Sequence, residues 1–459
     1  MIELRKNLSN LYRLNLLNSS NTKIGSEILL NLYCKKTNKY ISDVRSLRTF
    51  RKEILIKDVI FDYISFKSLE FNSLLKRFQN LVIENTKKEE EISIKYKGFE
   101  FVYGKGGIHG SLNNTLVESN DEYSIVDADV ASLYPSIAIV NNLYPEHLGV
   151  EFTQVYKNDI VDVRLAEKAK KENGNKYIVD GFKEAANASY GNSNSMYSWL
   201  YDPKYTMATT INGQLMLTML AEDLMEIKDL TLIQINTDGL TVKIHNSQLE
   251  TYYSICDKWM KLTNLQLEYI EYSKMIIFDV NNYYSFYKNS FKFKAKGKCE
   301  FKDIPLHKNK SHAIIPYSVF KYFKDGIPIE ETIRNHTNIF DFCAGVRAKK
   351  SEKGGQSRYE LHYVKDGEVH IDKLSKTVRY FISNKGKTLF KKYESGDSEH
   401  VEAPMRKGKM FREWKVTYFN KAYYPDNFQD YDINYDYYII KAKDWINDIQ
   451  KDVTQLNLF

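Results

Sequence analysis

Two alternating apolar runs on either side of Thr-Asp-Gly constrain the fold of this chain more than any other local feature. Residues 232–244 read LIQINTDGLTVKI, with apolar and polar side chains alternating around Asp238-Gly239. Alternation with a period of two predicts β-strands, and Asp-Gly between two such runs is among the strongest signals for a hairpin. Asp238 is therefore predicted at a tight turn, where its carboxylate projects from the end of a sheet.

A second aspartate follows another predicted strand. The strand YSIVDA (123–128) leads into Asp129, and the segment SLYPSIAIV after it turns toward a helix. Two carboxylates held close together are costly unless a cation lies between them, and Mg²⁺ prefers carboxylates combined with substrate phosphates. Each aspartate also has an ordinary explanation, since Asp129 could cap the next helix and Asp238 could be only a turn residue.

Cations lie at helical spacing between these two aspartates. Arg164 and Lys168 are four residues apart, as are Lys183 and Asn187, so each pair shares one face of a helix. Cations in this arrangement suit the phosphates of a nucleoside triphosphate. The alternative is a solvated basic helix, which is common.

Composition narrows the class of protein. The 459 residues carry a formal charge of +7, which modestly favours a polyanionic partner, and 43% of them are hydrophobic, as in ordinary globular proteins. The four cysteines form no CxxC pair and the histidines form no HExxH pair, so any metal is expected to have oxygen ligands. No apolar run approaches the ~20 residues of a membrane span and no signal-peptide pattern is found, so we expect no membrane contact and a cytoplasmic location.

The order of the predicted elements indicates an α+β fold with a helical insertion. Residues 1–86 are predicted mostly helical, and 92–104 strand-like, before a glycine-rich turn at 104–110 (GKGGIHG). The segment 151–205 is helical and polar, and 208–228 reads as one long helix. Further strands are predicted at 273–280 and 283–297, and residues 300–459 mix helix and strand without repeats.

Read in order, three segments resemble motifs A, B and C of the family B DNA polymerases. DVASLYPS (129–136) has every specified position of DxxSLYPS, and KEAANASYG (183–191) has those of KxxxNSxYG except that Ala188 replaces the serine. NTDG (236–239) aligns with DTDS, with Asn236 and Gly239 as departures. The intervals fit as well, at 183 − 129 = 54 and 238 − 183 = 55 residues.

This resemblance covers residues 100–300 best and extends more loosely to a C-terminal part similar to bacteriophage-type members. It implies a right-hand architecture with an antiparallel palm sheet, short helical fingers and a mixed thumb. The implied regions are an N-terminal, mostly helical support or docking region at 1–99, palm at 100–150 and 206–300, fingers at 151–205, and thumb with C-terminal tail at 301–459.

The resemblance also implies roles for individual residues. Asp129 and Asp238 would be the catalytic metal ligands, with the backbone of Val130, for two Mg²⁺ ions that Mn²⁺ can replace. The nucleotide-binding residues would be Ser132, Leu133, Tyr134, Arg164, Lys168, Lys183 and Asn187, and Tyr134 would exclude a 2′-hydroxyl. Template and primer would contact Gly106, Gly107, Tyr190, Gly191, Thr237, Tyr283 and Tyr284. Lys294 or Lys296 would replace the lysine of a KxY element that is missing before Tyr283.

The implied function is a template-directed DNA polymerase of phage replication that adds dNTPs to a primer 3′-hydroxyl in the host bacterial cytoplasm. Residues 1–120 contain neither the DxE nor the YxxxD motif of a proofreading exonuclease. The resemblance then implies either a polymerase without its own proofreading or one half of a split enzyme, whose separate exonuclease subunit would be a partner beside primer–template DNA. The last residues, QLNLF, match the QLxLF peptide that docks on a sliding clamp, through Gln455, Leu456, Leu458 and Phe459. The alternative for this peptide is the end of a helix packed on the body.

Two other functions stay open at the level of sequence. One is a polymerase-like DNA-binding or clamp-tethered scaffold without catalysis, an idea prompted by Asn236 and Gly239. The other is an RNA-synthesising or primase-like enzyme, which the bulky Tyr134 argues against.

Overall fold

The computed structural model describes residues 2–84, 91–104, 106–304, 311–351, 354–403, 413–419, 425 and 427–450, with the backbone alone at 405–406, 409–410 and 451–456. The chain divides into two compact units. Unit 1 comprises Met1–Leu112, Val117–Lys274 and Tyr287–Ser290, and unit 2 comprises Asn113–Leu116, Met275–Phe286 and Phe291–Phe459. No helix in the described residues is long and apolar enough to cross a membrane.

Among the described residues, helices α1 to α10 lie before residue 264, α11 to α13 lie between 314 and 342, and α14 lies near the C-terminal end. Their bounds are α1 Ile2–Tyr12, α2 Asn21–Thr37, α3 Ile41–Ser46, α4 Leu69–Gln79, α5 Leu133–Val140, α6 Val150–Val155, α7 Asp162–Ala169, α8 Lys176–Gly191, α9 Pro203–Leu224, α10 Leu249–Thr263, α11 Ile314–Asp325, α12 Ile329–Arg334, α13 Ile339–Phe342 and α14 Tyr435–Leu456. A π-helical segment, Tyr156–Val161, joins α6 to α7. The predicted helical character of 151–205 is confirmed.

The strands form antiparallel sheets, which confirms the predicted α+β class. Their bounds are β1 Ile54–Leu55, β2 Val82–Ile83, β3 Ile92–Tyr96, β4 Phe99–Tyr103, β5 Ile108–Ser111, β6 Thr115–Glu118, β7 Tyr123–Val130, β8 Leu230–Asn236, β9 Gly239–His245, β10 Leu267–Asp279, β11 Asn282–Tyr287, β12 Phe293–Lys296, β13 Ala344–Arg347, β14 Ser357–Lys365, β15 Glu368–Lys373, β16 Thr377–Tyr393, β17 Ser398–His400, β18 Met405–Arg406, β19 Lys409–Met410 and β20 Val416–Tyr418. The β8–β9 hairpin confirms the prediction from LIQINTDGLTVKI.

The sheet of unit 1 places β7 between β9 and β10, with the strand order β3-β4-β5-β8-β9-β7-β10. Residues Ser124–Ala128 of β7 are all buried, because the strand has neighbours on both sides and helices against the sheet. Its apolar side chains join one core with those of β8, β9 and α9. The end of β7, where Asp129 lies, is therefore held rigidly.

The glycine-rich turn is shorter than predicted. Ile108–Ser111 form β5, which pairs with β4 and β8, so only residues before Ile108 make the connection. Gly110 allows this pairing, since a Cβ there would lie 2.4 Å from the carbonyl oxygen of Glu100. The predicted turn at 104–110 is thus wrong over its second half, because strand neighbours from distant sequence extend the sheet.

Helix α9 begins earlier and ends earlier than the predicted 208–228. The side chain of Asp202 accepts a hydrogen bond from the Lys204 N–H at 3.0 Å, and Pro203 occupies the first helical position, where its missing N–H is harmless. Nearly every residue of α9 is buried. This explains why its sequence lacks a polar face.

Helices α1 and α2 pack in the same core as α6, α8 and the π-helical segment. That core is separate from the one below the sheet and includes Tyr33, Phe152 and Trp199. The mostly helical character predicted for residues 1–86 is confirmed by α1 to α4, whereas the short strands β1 and β2 were not predicted. Strands β3 and β4 lie within the predicted strand-like stretch 92–104.

Unit 2 has its own sheet and its own core. The strand order is β13-β16-β14-β15, with β17 and β20 paired along the long strand β16. Helices α11, α12 and α14 cover an apolar core that is rich in tyrosine and phenylalanine. The mixture of helix and strand predicted for 300–459 is confirmed.

Candidate active site

Asp129 and the Asp238 turn lie side by side on neighbouring strands of unit 1. Asp129 is the penultimate residue of β7, and its Cα partner on β9 is Gly239, the residue after Asp238. The N–H of Val130 donates to the carbonyl oxygen of Asp238 at 2.7 Å and fixes the turn against β7. Asp129 is half-buried and Asp238 is exposed. The fold therefore brings the two predicted carboxylates together.

The hairpin loop consists of Thr237 and Asp238, because Asn236 and Gly239 already pair across the strands. The side-chain oxygen of Asn236 accepts from the Thr237 N–H at 2.8 Å and from the Thr237 hydroxyl at 3.3 Å. An amide thus caps this turn. In the described part of the chain, the Asp238 carboxylate makes no hydrogen bond or ion pair. The carboxylate therefore does not stabilise the turn.

The alternative for Asp129 fails. The N-cap position of α5 belongs to Ser132, which has φ 52° and ψ 56° and makes no capping hydrogen bond. Asp129 lies three residues before it, within β7, so it does not cap the helix. The helix-cap explanation is therefore wrong for Asp129, whereas Asp238 does lie in the hairpin turn.

Gly239 makes room for the Asp129 carboxylate. A Cβ at position 239 would lie 2.1 Å from Oδ1 of Asp129 and 2.6 Å from the carbonyl oxygen of Ala128. The serine of motif C would meet the same atoms. This departure from the motif is thus coupled to the position of Asp129.

Two further polar side chains lie beside the hairpin without any signal in the local sequence. His109 of β5 forms a hydrogen bond between its Nδ1 and Oδ1 of Asn236 at 3.1 Å. Glu268 of β10 is exposed and is the Cα partner of Asp129, so both side chains project to the same face. These neighbours arise from pairing between distant strands, which no single motif could indicate.

Asp127 is engaged in the core and does not join the site. Its carboxylate accepts from the Thr241 hydroxyl at 2.5 Å and from the Tyr272 hydroxyl at 2.8 Å, and it is buried. Among the described residues, no group of three or more His, Cys, Asp or Glu side chains is placed to hold a metal ion. Asp129 and Asp238 are therefore the two predicted carboxylates that remain at the hairpin, with Glu268 beside Asp129.

Tyr134 and Tyr190 form a stacked pair next to the turn. Their ring centroids are 4.2 Å apart at an interplanar angle of 30°, and the Tyr134 hydroxyl donates to the carbonyl oxygen of Gly106. Burial raises the pKa of both phenols, and at Tyr134 the charge of nearby Asp238 raises it further. Both hydroxyls therefore stay protonated at neutral pH. Tyr134, Tyr190 and Gly106, all three predicted as site residues, thus meet as neutral groups.

The glycine loop also touches the hairpin. A Cβ on Gly107 would lie 2.9 Å from two side-chain atoms of Thr237, so a larger residue would displace the loop from the turn. Gly106 is exposed. Lys105 lies outside the described residues.

The predicted phosphate-binding residues lie on α7 and α8. Nη1 of Arg164 donates to Oγ of Ser132 at 3.4 Å, which links α7 to the segment after Asp129. Lys168, Lys183 and Asn187 are exposed, and neither lysine pairs with a carboxylate within the described residues. Gly191, at the end of α8, is exposed as well, whereas Leu133 is buried and contributes to the core.

Four predicted primer contacts belong to unit 2 and are placed differently. Tyr283 and Tyr284 are buried in β11, and the Tyr284 hydroxyl donates to the carbonyl oxygen of Pro316 at 2.8 Å. Lys296 is exposed and Lys294 half-buried on β12, where Lys296 is the Cα partner of Tyr283. The two tyrosines are core residues in this fold, which argues against contact with a primer strand.

The predicted clamp peptide is only partly described. Gln455 and Leu456 end helix α14, for which the backbone alone is described at this end. Leu458 and Phe459 lie outside the described residues. Clamp binding therefore stays a prediction from the sequence.

Comparison with known proteins gives matches among solved structures. No protein-family model matches the chain, and no curated protein matches it. The chain is similar to the family B DNA polymerase from the hyperthermophilic archaeon Pyrobaculum calidifontis, with 13% sequence identity and a TM-score of 0.42. The match covers 97% of this chain and 53% of that polymerase, so this chain spans about half of its length.

Proposed function

We propose that this chain is a template-directed DNA polymerase that adds dNTPs to the 3′-hydroxyl of a primer. The observation that carries the proposal is the pairing of Asp129 with the Asp238 turn, beside the stacked Tyr134 and Tyr190. The Asp238 carboxylate is exposed and does not hold its own turn, because the side chain of Asn236 does so. A half-buried and an exposed carboxylate next to an aromatic surface suit nucleotidyl transfer better than a structural role.

The acidic ligands fit Mg²⁺. This ion is usually bound through one or two carboxylates together with substrate phosphates, rather than by a full protein cage. Asp129 and Asp238 would hold two ions beside the backbone of Val130, and Mn²⁺ would be accepted in their place. When bound, the ions supply activation of the 3′-hydroxyl and neutralisation of phosphate charge.

The remaining residues would bind and orient the nucleotide. The ring of Tyr134 would lie under the sugar and exclude a 2′-hydroxyl, with Tyr190 at the nascent base pair. The exposed cations of α7 and α8 would receive the triphosphate, together with Arg164, and Asn187 would lie beside the incoming nucleotide. The primer 3′-oxygen would attack the α-phosphorus, and pyrophosphate would leave.

The proposal includes the right-hand arrangement, with palm at 100–150 and 206–300, fingers at 151–205 and thumb at 301–459. Primer–template DNA is the proposed partner. A sliding clamp bound through 455–459 and a separate exonuclease subunit are further proposed partners, in phage DNA replication in the host cytoplasm.

Primer extension with Mg²⁺ or Mn²⁺ tests the proposal. Asp129→Ala or Asp238→Ala should reduce extension by at least about 10³-fold, since a lost metal ligand removes several kcal/mol of transition-state stabilisation. Binding of primer–template DNA should change by less than about threefold. Asp257→Ala, at an exposed aspartate of α10, is the matched control and should extend primers like the wild type.

Two outcomes would contradict the proposal. Retained extension in either site variant would remove the carboxylates from the mechanism. A wild-type chain that binds DNA but extends no primer would instead be the polymerase-like scaffold.

A further inference from the structure

Helix α8 has two faces with different side chains. Lys183 and Asn187 are exposed on one face, whereas Gly181, Ala185 and Ala188 are buried on the other. Small side chains on a buried helix face allow a second helix to approach closely. The side of α8 away from the proposed nucleotide site is thus shaped as a packing surface.

Helix α2 lies on this surface at very short range. A Cβ on Gly25 of α2 would be 2.2 Å from the carbonyl oxygen of Glu184 and 2.7 Å from the backbone nitrogen of Ala185. Glycine in the middle of a helix is destabilising relative to alanine, so its presence needs a compensating contact. Here that contact is direct approach of α2 to the backbone of α8.

Further contacts hold the N-terminal helices on the same side of α8. The Asn21 side-chain amide donates to Oε1 of Glu184 at 3.4 Å, and the Tyr177 hydroxyl donates to Oε1 of Glu3 at 2.7 Å. The side chain of Leu8 fills the space above Gly181, where a Cβ would lie 2.7 Å from a Leu8 methyl carbon. These contacts fix α8 at its start and its middle.

We propose that Gly25 is a positioning residue for the nucleotide site. By allowing α2 to touch the backbone at Glu184, it sets the position of α8, and so the places of Lys183 and Asn187 on the opposite face. The N-terminal helices α1 and α2 would then be a working part of the nucleotide-binding region rather than a separate docking surface. This inference rests on the proposed polymerase function.

Steady-state primer extension with varied dNTP concentration tests this. Gly25→Ala and Gly25→Val should raise KM for the dNTP by at least about fivefold, with the valine variant more affected, because a displacement of about 1 Å at a binding group is costly. The kcat should change by less than about twofold, and the Kd for primer–template DNA should stay at the wild-type value. Lys23→Val, at an exposed position of the same helix, controls for the helix propensity of valine and should leave KM unchanged.

Gly25 variants that lose thermal stability but keep the wild-type KM would overturn the inference, since Gly25 would then be only a packing residue. If they do not fold, Leu8→Val, which trims the contact with Gly181, should raise KM by about twofold, and an unchanged KM there would overturn it too. Failure of the proposed function is distinguishable, because the wild type and Lys23→Val would then show no extension at all.

Discussion

Two β-hairpins carry residues that the sequence assigns to one reaction, and they use these residues in opposite ways. In the β8–β9 hairpin of unit 1, Asp238 is exposed in the loop while Asn236 holds the turn. In the β11–β12 hairpin of unit 2, Tyr284 is fully buried and its hydroxyl donates to Pro316. Similar local patterns thus give a candidate binding site in one hairpin and core packing in the other.

The neighbours of each hairpin explain the difference. In the β8–β9 hairpin, the missing Cβ of Gly239 leaves space for the Asp129 carboxylate. Gly107 lies close to the Thr237 side chain, again because it has no Cβ. In the other hairpin, aromatic rings fill the equivalent space: Tyr284 and Phe286 contact Phe320 of α11, with ring centroids 5.9 and 5.5 Å apart. An alternating pattern therefore predicts a strand, but the elements packed against the strand decide which side chains reach a ligand.

In the comparison of the two hairpins, the largest expected effect comes from filling the space beside Asp129 in the first one. Gly239→Ser should reduce primer extension by about 10²-fold, because the new Cβ would displace the Asp129 carboxylate, and misplacing a reacting group by ~1 Å has an effect of this size. Steady-state extension per folded molecule is the measurement. Gly297→Ala is the comparison in unit 2, where φ is +60° and a Cβ would lie 2.3 Å from the Asn281 carbonyl oxygen. It should lower stability without lowering kcat, and equal losses of kcat in both variants would erase the distinction.

A smaller effect is expected at Asn236. Asn236→Leu should lower extension by about tenfold, because losing the hydrogen bonds to the Thr237 N–H and hydroxyl removes of the order of 1.5 kcal/mol from the turn that presents Asp238. Asn236→Asp keeps the acceptor oxygen and should stay within about threefold of the wild type. If the leucine variant is fully active, the turn does not need its cap. If the aspartate variant gains tenfold or more, the missing acid of motif C matters for catalysis.

The smallest effect on activity is expected in the second hairpin. Tyr284→Phe should lower the free energy of unfolding by about 1–2 kcal/mol, since it removes a buried hydrogen bond and leaves the Pro316 carbonyl without that donor. The Kd for primer–template DNA should not change. Thermal unfolding and a DNA-binding titration measure the two quantities, with Phe291→Ala at a 95% exposed ring as the control. A tenfold rise in Kd without loss of stability would return Tyr284 to the primer-binding residues.

Much of the fold was predictable because its signals are local. The β8–β9 hairpin, the helical segment at 151–205 and the strand before Asp129 all follow from periodicity and turn residues. The extent of β5 and the start of α9 were less predictable, because strand pairing at Gly110 and the cap by Asp202 depend on neighbours that periodicity does not describe.

The residues of the candidate site also divide into those that the local sequence indicates and those that depend on distant segments. The sequence indicates Asp129, Asp238, Tyr134 and the cations of the helical segment by their order and spacing. It does not indicate His109 or Glu268, which reach the site through strand pairing, and it misplaces Tyr284, whose burial depends on α11. Local pattern identifies residues of a suitable type, whereas contact between distant segments selects among them.

The sequence by itself determined the α+β class, the hairpin and the residues proposed for nucleotidyl transfer, because periodicity and motif spacing are written in neighbouring residues. Only the tertiary structure decided that Asn236 rather than Asp238 holds the turn, that Gly239 is coupled to Asp129, and that α2 touches the backbone of α8 at Gly25. The two glycine contacts lie at van der Waals range between segments far apart in sequence, whereas the hydrogen bond between Asn236 and Thr237 is local. Close packing, which leaves no space for a single Cβ at these glycines, fixes them.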